Sequence, residues 1–408
     1  MGLKSTVLLV AAMDTKGEEA LYLSRCLKEA GVEVMIMNVG ILGESPVSTQ
    51  ISAREVAENA GWTLERIRSV KGEGKAIEIM ITGAIKCALT LYEKGKIQGL
   101  LSLGGSMGTD MGTSIMRAFP IGFPKVMIST LASFNTRPYV GTRDIMMLNS
   151  ICDLSGLNRI TERILKNGAL AVAGMVKAFA QYKKGSKPLV LLSTLGTTEA
   201  CSLGIKHALE AEGREVIVFH STGTGGKALE EMVQEEEVES VIEISLTELG
   251  ANLVGGDYDA GPTRGQTSLE KGVPVIFVPG NTEFFSTGPL QFAKQRFPGR
   301  RYHIHNAAIT AVHLERTETL TIAERLAALC NKGKGPRAII VPLGGLSSYD
   351  QPGGPFYEPE VPALFLEVVK KGLRQGTELH GFPYHVNDPA FAQEVVQVWQ
   401  RFCSPQQT

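Results

Sequence analysis

The chain has 408 residues, more than one hydrophobic core ordinarily organises, so we expect two domains. Lys and Arg together number 41 against 42 for Asp and Glu, and this balance excludes the broad positive field that attracts nucleic acid. Hydrophobic residues make up 43% of the chain, yet no apolar run approaches the ~20 residues of a membrane span. We therefore expect a globular protein with neither a membrane nor nucleic acid as its partner.

The cysteine pattern and the first residues of the sequence predict the cellular compartment of the protein. Six cysteines are scattered along the sequence without a C-x-x-C pair. This spacing favours free thiols in a reducing compartment over disulfides or a zinc site. No signal peptide precedes the first predicted strand, so we expect the protein in the cytoplasm.

The first predicted elements are a strand, a helix and a second strand. Residues 5–13 (STVLLVAAM) are an apolar run of strand length, and residues 32–39 form the next strand. Such a βαβ unit places both strands in a parallel sheet. The turn between strand and helix, Asp14-Thr15-Lys16-Gly17, has two interpretations. It caps the helix, or it is a ligand loop in which Lys16 binds phosphate and Asp14 lies near a metal ion.

The chain is organised around residues 100–119 (LLSLGGSMGTDMGTSIMRAF), which predict a buried strand, a glycine-rich turn and a helix. In this arrangement backbone N–H groups and the start of the helix converge on an anion. The turn, Gly104-Gly105-Ser106-Met107-Gly108-Thr109, adds hydroxyls without negative charge, so we interpret it as a phosphate cradle. A tight turn without a ligand is the alternative. The spacing matches neither a Walker A motif nor G-x-G-x-x-G.

The remaining first-half elements and the domain boundary follow from the same patterns. Residues 125–130 predict another strand, and a helix over 158–183 ends this half. Residues 183–188 (KKGSKP) have the composition of an interdomain linker. We therefore expect one domain over residues 1–183 and a second over 188–408.

The second half contains seven candidate strands, most of them separated by helical segments: 189–194, 215–221, 240–247, 273–279, 302–306, 337–342 and 377–382. This alternation predicts an α/β domain that is TIM-barrel-like. An open doubly wound sheet is the alternative.

In either architecture ligands bind at the carboxyl ends of the strands, where this half carries loops rich in glycine and polar residues. Arginine would hold a carboxylate or phosphate, histidine would transfer protons, and aspartate would orient a histidine or bind Mg²⁺. Taken singly, each such residue has a structural role in a turn as its alternative. The six candidate catalytic residues are Asp257, Arg264, His305, Asp350, His385 and Asp388.

Three segments together resemble one family: residues 7–23 (VLLVAAMDTKGEEALYL), 101–130 (LSLGGSMGTDMGTSIMRAFPIGFPKVMIST) and 342–360 (PLGGLSSYDQPGGPFYEPE). Over essentially its whole length the chain resembles the uncharacterised two-domain family whose plant relatives include the ATP-binding inhibitor of tobamovirus RNA replication. The resemblance implies a Rossmann-like first domain that binds ATP, a TIM-barrel-like second domain, and self-association into a homodimer or larger homo-oligomer. By motif it assigns the nucleotide contacts to Asp14, Thr15, Lys16, Gly17, Gly104, Gly105, Ser106, Met107, Gly108 and Thr109.

Two functional hypotheses follow. In the first, the chain is a cytoplasmic ATP-binding protein whose barrel rim carries a second site for an unidentified small molecule. In the alternative, it is a metabolic enzyme, a hydrolase or C–C lyase, that acts on a small oxygenated or phosphorylated acid. Mg²⁺ is a candidate cofactor in either case.

Overall fold

Two units, residues 1–184 and 185–408, make up the fold. The computed structural model describes residues 5–43, 45, 47–179 and 185–403. Residues 183 and 184 of the predicted linker lie outside these ranges. Each unit has a parallel sheet with helices on both faces, which confirms the expected α/β class and its Rossmann-like character.

The described part of the first unit contains the strands β1 (Thr6–Ala11), β2 (Glu33–Asn38), β3 (Gly99–Gly104), β4 (Lys125–Ser129) and β5 (Met146–Asn149). Its helices are α1 (Met13–Glu29), α2 (Ala53–Asn59), α3 (Leu64–Arg68), α4 (Glu73–Glu93), α5 (Ser106–Arg117), α6 (Arg137–Val140) and α7 (Thr161–Phe179).

Apolar runs explain the central strands of this sheet, whose spatial order is β2-β1-β3-β4-β5. Every residue of β3 is buried, and successive side chains enter opposite cores. Leu100 packs with α4 and α5, and Leu101 packs with α1 and α7. Because α1 leaves β1 toward one face and α5 leaves the adjacent β3 toward the other, a crevice opens between these strands.

A glycine on α5 sets how closely this helix approaches the sheet. A Cβ atom at Gly112 would lie 2.5 Å from Oγ of Ser102 and 2.9 Å from Sδ of Met127. Gly112 therefore lets α5 lie directly on β3 and β4, next to the glycine-rich turn.

Within residues 185–403 the second unit contains the strands β6 (Leu189–Thr194), β7 (Glu215–His220), β8 (Ser240–Ser245), β9 (Val275–Gly280), β10 (Phe284–Thr287), β11 (Tyr302–Asn306), β12 (Ile309–His313), β13 (Arg337–Pro342) and β14 (Glu378–Phe382). Its helices are α8 (Glu199–Ala211), α9 (Thr224–Glu235), α10 (Thr247–Val254), α11 (Thr267–Lys271), α12 (Leu290–Arg296), α13 (Arg316–Cys330), α14 (Val361–Gly372) and α15 (Pro389–Cys403).

The predicted TIM-barrel-like second domain is corrected to an open sheet. Six parallel strands lie in the order β14-β13-β9-β8-β6-β7, and β7 and β14 remain unpaired edges within the described chain. In a barrel each strand pairs with the next one along the chain, whereas here β6 lies between β7 and β8. Successive strands are therefore added first on one side of β6 and then on the other, as in the open doubly wound sheet that was the alternative.

One of the seven predicted strands does not belong to the parallel sheet. Residues 302–306 form β11 in a separate antiparallel sheet of order β10-β12-β11. This sheet is inserted between β9 and β13. None of the helices in the described ranges has the length and apolar composition needed to cross a bilayer.

We expect Gly112→Ala and Gly174→Ala to change stability in opposite directions. Overpacking against Ser102 should lower the free energy of unfolding of the Gly112 variant by about 1–3 kcal/mol. Gly174 lies exposed on α7 with no atom near its missing Cβ. Its variant should be more stable by up to ~1 kcal/mol, because alanine favours helix. Urea unfolding of both variants measures the difference, and equal effects would contradict the close packing of α5.

Candidate functional site

A cleft of the first unit, about 710 Å³ in volume, opens at the carboxyl ends of β1, β2 and β3. It occupies the point where the strand order reverses, which is where open α/β sheets bind ligands. Eight of the ten predicted nucleotide contacts line it: Asp14, Thr15, Lys16, Gly104, Gly105, Ser106, Met107 and Gly108. The other two do not, since Gly17 is buried inside α1 and Thr109 is buried inside α5.

The glycine-rich turn brings the start of α5 to the cleft. A Cβ at Gly104 would lie 2.7 Å from Cα of Gly108, so only glycine permits this tight turn. At Gly105 a Cβ would meet nothing closer than 3.9 Å. The hydroxyl of Thr109 lies 2.6 Å from that of Ser129 and so fixes the turn to β4. The first N–H groups of α5 have no partner within the helix and carry its positive end.

The start of α1 supplies a cation to the same cleft. The backbone at Lys16 leaves helical geometry, with φ −128° and ψ 22°, so the helix is interrupted where it borders the cleft. The Lys16 ammonium makes no hydrogen bond or ion pair with any described residue. Lys16 and the α5 N-terminus together make this region suited to an anion.

Asp14 has a structural role in addition to its place in the cleft wall. Its Oδ2 accepts hydrogen bonds from the N–H groups of Leu42, at 2.8 Å, and Gly43, at 3.1 Å. Arg68 holds the same loop by donating to the carbonyl oxygens of Ile41 and Gly43. The capping interpretation of Asp14 is wrong, because Ala12 is the N-cap of α1 and no side chain caps this helix, whereas the Asp14 carboxylate holds the loop after β2.

Sequence reasoning missed two groups of residues at this cleft. Asn38, buried at the end of β2, accepts N–H bonds from Met13 and Gly40 and so joins β2 to the start of α1. The sequence signal that could have identified Asn38 is a polar residue at the end of an otherwise apolar strand. The second group is the apolar wall, whose residues lie far apart in sequence: Ile41, Ile67, Val70, Ala76, Ile77 and Met111. Among the described side chains no three His, Cys, Asp or Glu residues are grouped to hold a metal ion.

In the second unit the structure brings Asp350 and His385 together but does not bring all six predicted catalytic residues to one place. Asp350 is buried and accepts N–H bonds from Leu346 and Glu358. His385 accepts an N–H bond from Asn387 at Nδ1, so its Nε2 carries the hydrogen and donates to the carbonyl oxygen of Ser347. Both side chains thus hold the loops after β13 and β14.

Arg264 lies inside a cluster of carboxylates of the protein itself. It donates to Glu248 at 2.6 Å, to both carboxylate oxygens of Glu243, and to Glu230 at 3.2 Å. Glu248 in turn accepts the N–H groups of Gly223 and Gly226. The guanidinium predicted to hold a ligand anion is therefore buried against three side-chain carboxylates.

The remaining three predicted residues have partners other than one another. Asp257 pairs with Arg296 at 2.8 Å. Asp388 accepts the N–H of Ala390 at the start of α15. His305 is exposed on β11, where its Nδ1 lies 3.3 Å from the Tyr349 hydroxyl.

The structure identifies Glu283 as a buried acid that sequence reasoning did not select. It follows β9, and its Oε1 accepts the hydroxyl of Ser347. Burial raises the pKa of Glu283 to about 8, and the nearby Asp350 carboxyl adds to the rise. Burial also raises the pKa of Asp350, but the N–H bonds from Leu346 and Glu358 oppose that rise. Glu283 is a glutamate in a glycine- and asparagine-containing turn, and nothing in that local pattern distinguishes it from an exposed one.

Fold and site together define a protein of two Rossmann-like α/β units with a ligand-sized cleft at the carboxyl edge of the first sheet. Residues 5–181 match the uncharacterised protein family (UPF0261) N-terminal domain, and residues 187–403 match its C-terminal domain. The chain belongs to the UPF0261 family.

The chain is similar over most of its length to proteins from bacteria and a plant. A UPF0261 protein of Clostridium tetani is 36% identical over 95% of this chain and 96% of its own length. One from Rhizobium meliloti is 32% identical over 98% and 99%. The ToMV susceptible protein tm-1(GCR26) of Solanum lycopersicum is 30% identical over 96% of this chain and 55% of its own length. A solved UDP-GlcNAc 2-epimerase of Methanocaldococcus jannaschii aligns at 9% identity over 100% of this chain and 94% of its own, with a TM-score of 0.22.

We expect Arg264→Met to destabilise the second unit by about 3–5 kcal/mol, because it leaves buried carboxylates without their cation. Arg54→Met is the matched control, since Arg54 pairs with Glu65 at an exposed surface and should change stability little. Denaturant unfolding of both variants measures the effect. A small loss for the Arg264 variant would contradict a structural role for this cluster.

Glu283 should make stability depend on pH. Its folded pKa of about 8 lies above its ordinary value of 4.5, so the folded state holds the proton more tightly. The resulting stability is fully present below pH 4.5 and is lost as pH rises toward 8. The difference in unfolding free energy between wild type and Glu283→Gln should fall with a slope approaching about 1.4 kcal/mol per pH unit. Urea unfolding of both proteins between pH 4.5 and pH 8 measures this difference in unfolding free energy. A difference that stays constant with pH would refute the raised pKa of Glu283.

Proposed function

We propose that the first unit binds ATP in the cleft at the carboxyl ends of β1, β2 and β3. The observation that carries the proposal is the convergence of the α5 N-terminus and the Lys16 ammonium at the carboxyl ends of β3 and β1. Ser106, Met107 and Gly108 supply N–H groups that the helix itself does not use. Together with Lys16 they form a site for the phosphates.

The other end of the cleft suits the base and ribose. Ile41, Ile77 and Met111 form an apolar wall, and an aromatic ring gains free energy when it leaves water for such a surface. The volume of about 710 Å³ falls within the range of small-molecule and cofactor sites.

The proposal includes Mg²⁺ as the ion that accompanies the triphosphate, because proteins commonly hold Mg²⁺ through substrate phosphates and retained waters. It also includes a cytoplasmic location, which the scattered cysteines favour, and a homodimer or larger homo-oligomer, which the resemblance to the ATP-binding family implies. In this proposal ATP regulates or assembles the protein without rapid turnover.

A second candidate function is an enzyme, a hydrolase or C–C lyase, in the second unit. Glu283 and Asp350 favour it, because two neighbouring buried carboxyl groups with different partners are typical of acid and base assignments. The substrate expected from the sequence is a small oxygenated or phosphorylated acid.

Gly105→Val should weaken ATP binding about 10- to 100-fold, because the side chain occupies the approach to the helix N–H groups and displaces hydrogen bonds to a charged group. Its backbone φ is ordinary and its surroundings are open, so the variant should fold. Lys16→Met should weaken binding and reduce its dependence on salt. Isothermal titration calorimetry with ATP and Mg²⁺ measures both effects.

Gly174→Val is the control for the glycine substitution, since Gly174 is equally open but lies away from the cleft on α7. It should bind ATP as the wild type does. Unchanged affinity in a folded Gly105→Val protein would rule out this cleft as the phosphate site.

A further inference from the structure

Most of the polar side chains that line the cleft of the first unit are already bonded within the protein. The Ser102 hydroxyl donates to a carbonyl oxygen of β1 at 2.9 Å. Asp14 accepts two N–H groups of the loop after β2, and Arg68 donates to two carbonyl oxygens of the same loop. Lys16 and Ser106 lie at the end of the cleft proposed for the phosphates.

Glu73 is a carboxylate of the cleft wall that the protein leaves free for a ligand. It is the first residue of α4, is exposed, and makes no hydrogen bond or ion pair with any residue that the structure describes. Ala76 and Ile77 follow three and four positions later on the same face of the helix, where both are buried and line the cleft. Helix α4 therefore carries a carboxylate at the mouth of the cleft and an apolar surface inside it.

The charges of the cleft give a bound nucleotide its direction. The Lys16 ammonium and the start of α5 attract phosphate, whereas the Glu73 carboxylate repels it. Hydroxyl groups donate hydrogen bonds to a carboxylate, and these bonds are stronger than bonds between neutral groups. The ribose hydroxyls of a nucleotide match the exposed Glu73, and its base matches the buried surface at Ile77.

Asn38 occupies the place where many Rossmann-like sheets carry an acid that binds ribose. In dinucleotide-binding members an Asp or Glu about 20 residues after the first βα turn accepts the ribose 2′-hydroxyl. Here Asn38 ends β2, is buried, and uses its Oδ1 to accept the N–H groups of Met13 and Gly40. The acceptor for a ribose therefore has to come from another element, and Glu73 supplies one from α4.

The loop after β2 offers a base few groups by which to recognise it. Its N–H groups at Gly40, Leu42 and Gly43 are donated to side chains of the protein. Two of its carbonyl oxygens accept from Arg68. The apolar wall next to this loop buries a ring without distinguishing one purine from another. The identity of the base is therefore recognised weakly.

We propose that Glu73 accepts hydrogen bonds from the ribose hydroxyls, so that the cleft selects ribonucleoside triphosphates by their sugar and not by their base. The inference rests on the proposed function of this cleft, and it names the class of nucleotide that the cleft takes. Glu73 is in this account a specificity-determining residue, and GTP is a ligand as well as ATP.

Isothermal titration calorimetry of the full-length protein with ATP, 2′-deoxy-ATP and GTP, each with Mg²⁺, tests the inference. The wild type should bind 2′-deoxy-ATP about 10- to 100-fold more weakly than ATP, because a hydrogen bond to a charged group is lost. It should bind GTP about as tightly as ATP.

Variants separate ribose recognition from a structural role of Glu73 at the start of α4. Glu73→Ala should bind ATP and 2′-deoxy-ATP with nearly equal affinity, whereas a structural defect weakens both nucleotides by the same factor and keeps their ratio. Glu73→Gln retains an acceptor and should keep part of the preference for ATP. Glu78→Ala removes an exposed carboxylate of the same helix that does not line the cleft, and should keep the wild-type ratio.

The outcomes distinguish this inference from the proposed function on which it rests. If Glu73→Ala keeps the wild-type ratio, or if the wild type binds ATP and 2′-deoxy-ATP equally, ribose recognition by Glu73 is wrong while ATP binding in the cleft stands. A preference for ATP over GTP that exceeds the preference for ATP over 2′-deoxy-ATP would also overturn selection by the sugar. If none of the three nucleotides binds, the proposed function fails and the inference fails with it.

Discussion

The fold depends on one geometric constraint, which is that two adjacent parallel strands inside each sheet, β1 and β3 in the first and β6 and β8 in the second, send their chains to opposite faces. In the first unit α1 leaves β1 toward one face and α5 leaves β3 toward the other. The separation opens the cleft and brings two helix starts to its wall. The sheet of the second unit has the same reversal, since β6 lies between β7 and β8. Polar loops at both carboxyl edges are therefore a consequence of topology, and the side chains on them decide what each edge binds.

Carboxylates that accept backbone N–H groups stabilise these loops in both units. Asp14 holds the loop after β2, Asp350 holds the loop after β13, and Glu248 holds the turn before α9. Each N–H accepted by a charged group stabilises a segment rich in glycine, which otherwise loses much conformational entropy on folding. This explains why acidic residues beside glycines resembled catalytic residues in the sequence. Most of them hold the backbone, and Glu283 differs because one of its oxygens has no such partner.

Much of the fold could be predicted because its strands are locally encoded. Buried parallel strands such as β3 and β6 are continuous apolar runs, and their bounds were predicted to within a residue or so. The order of strands was not encoded locally, so seven strands separated by helices suited a barrel as well as an open sheet. The strands β5, β10 and β12 are only four or five residues long and were missed, whereas β11 of the same antiparallel insertion was predicted. The glycine-rich turn at the start of α5 was predictable from its glycines, whereas the burial of Arg264 and Glu283 depends on residues distant in sequence.

The central claim is that the cleft between β1 and β3 holds the phosphates of ATP. A crystal structure of the full-length protein with a non-hydrolysable ATP analogue and Mg²⁺ tests this claim most directly. The account predicts phosphate oxygens within hydrogen-bond distance of the N–H groups of Ser106, Met107 and Gly108 and of the Lys16 ammonium, with the base against Ile77 and Met111. A nucleotide bound at another place, or a cleft without nucleotide at saturating concentration, would contradict it.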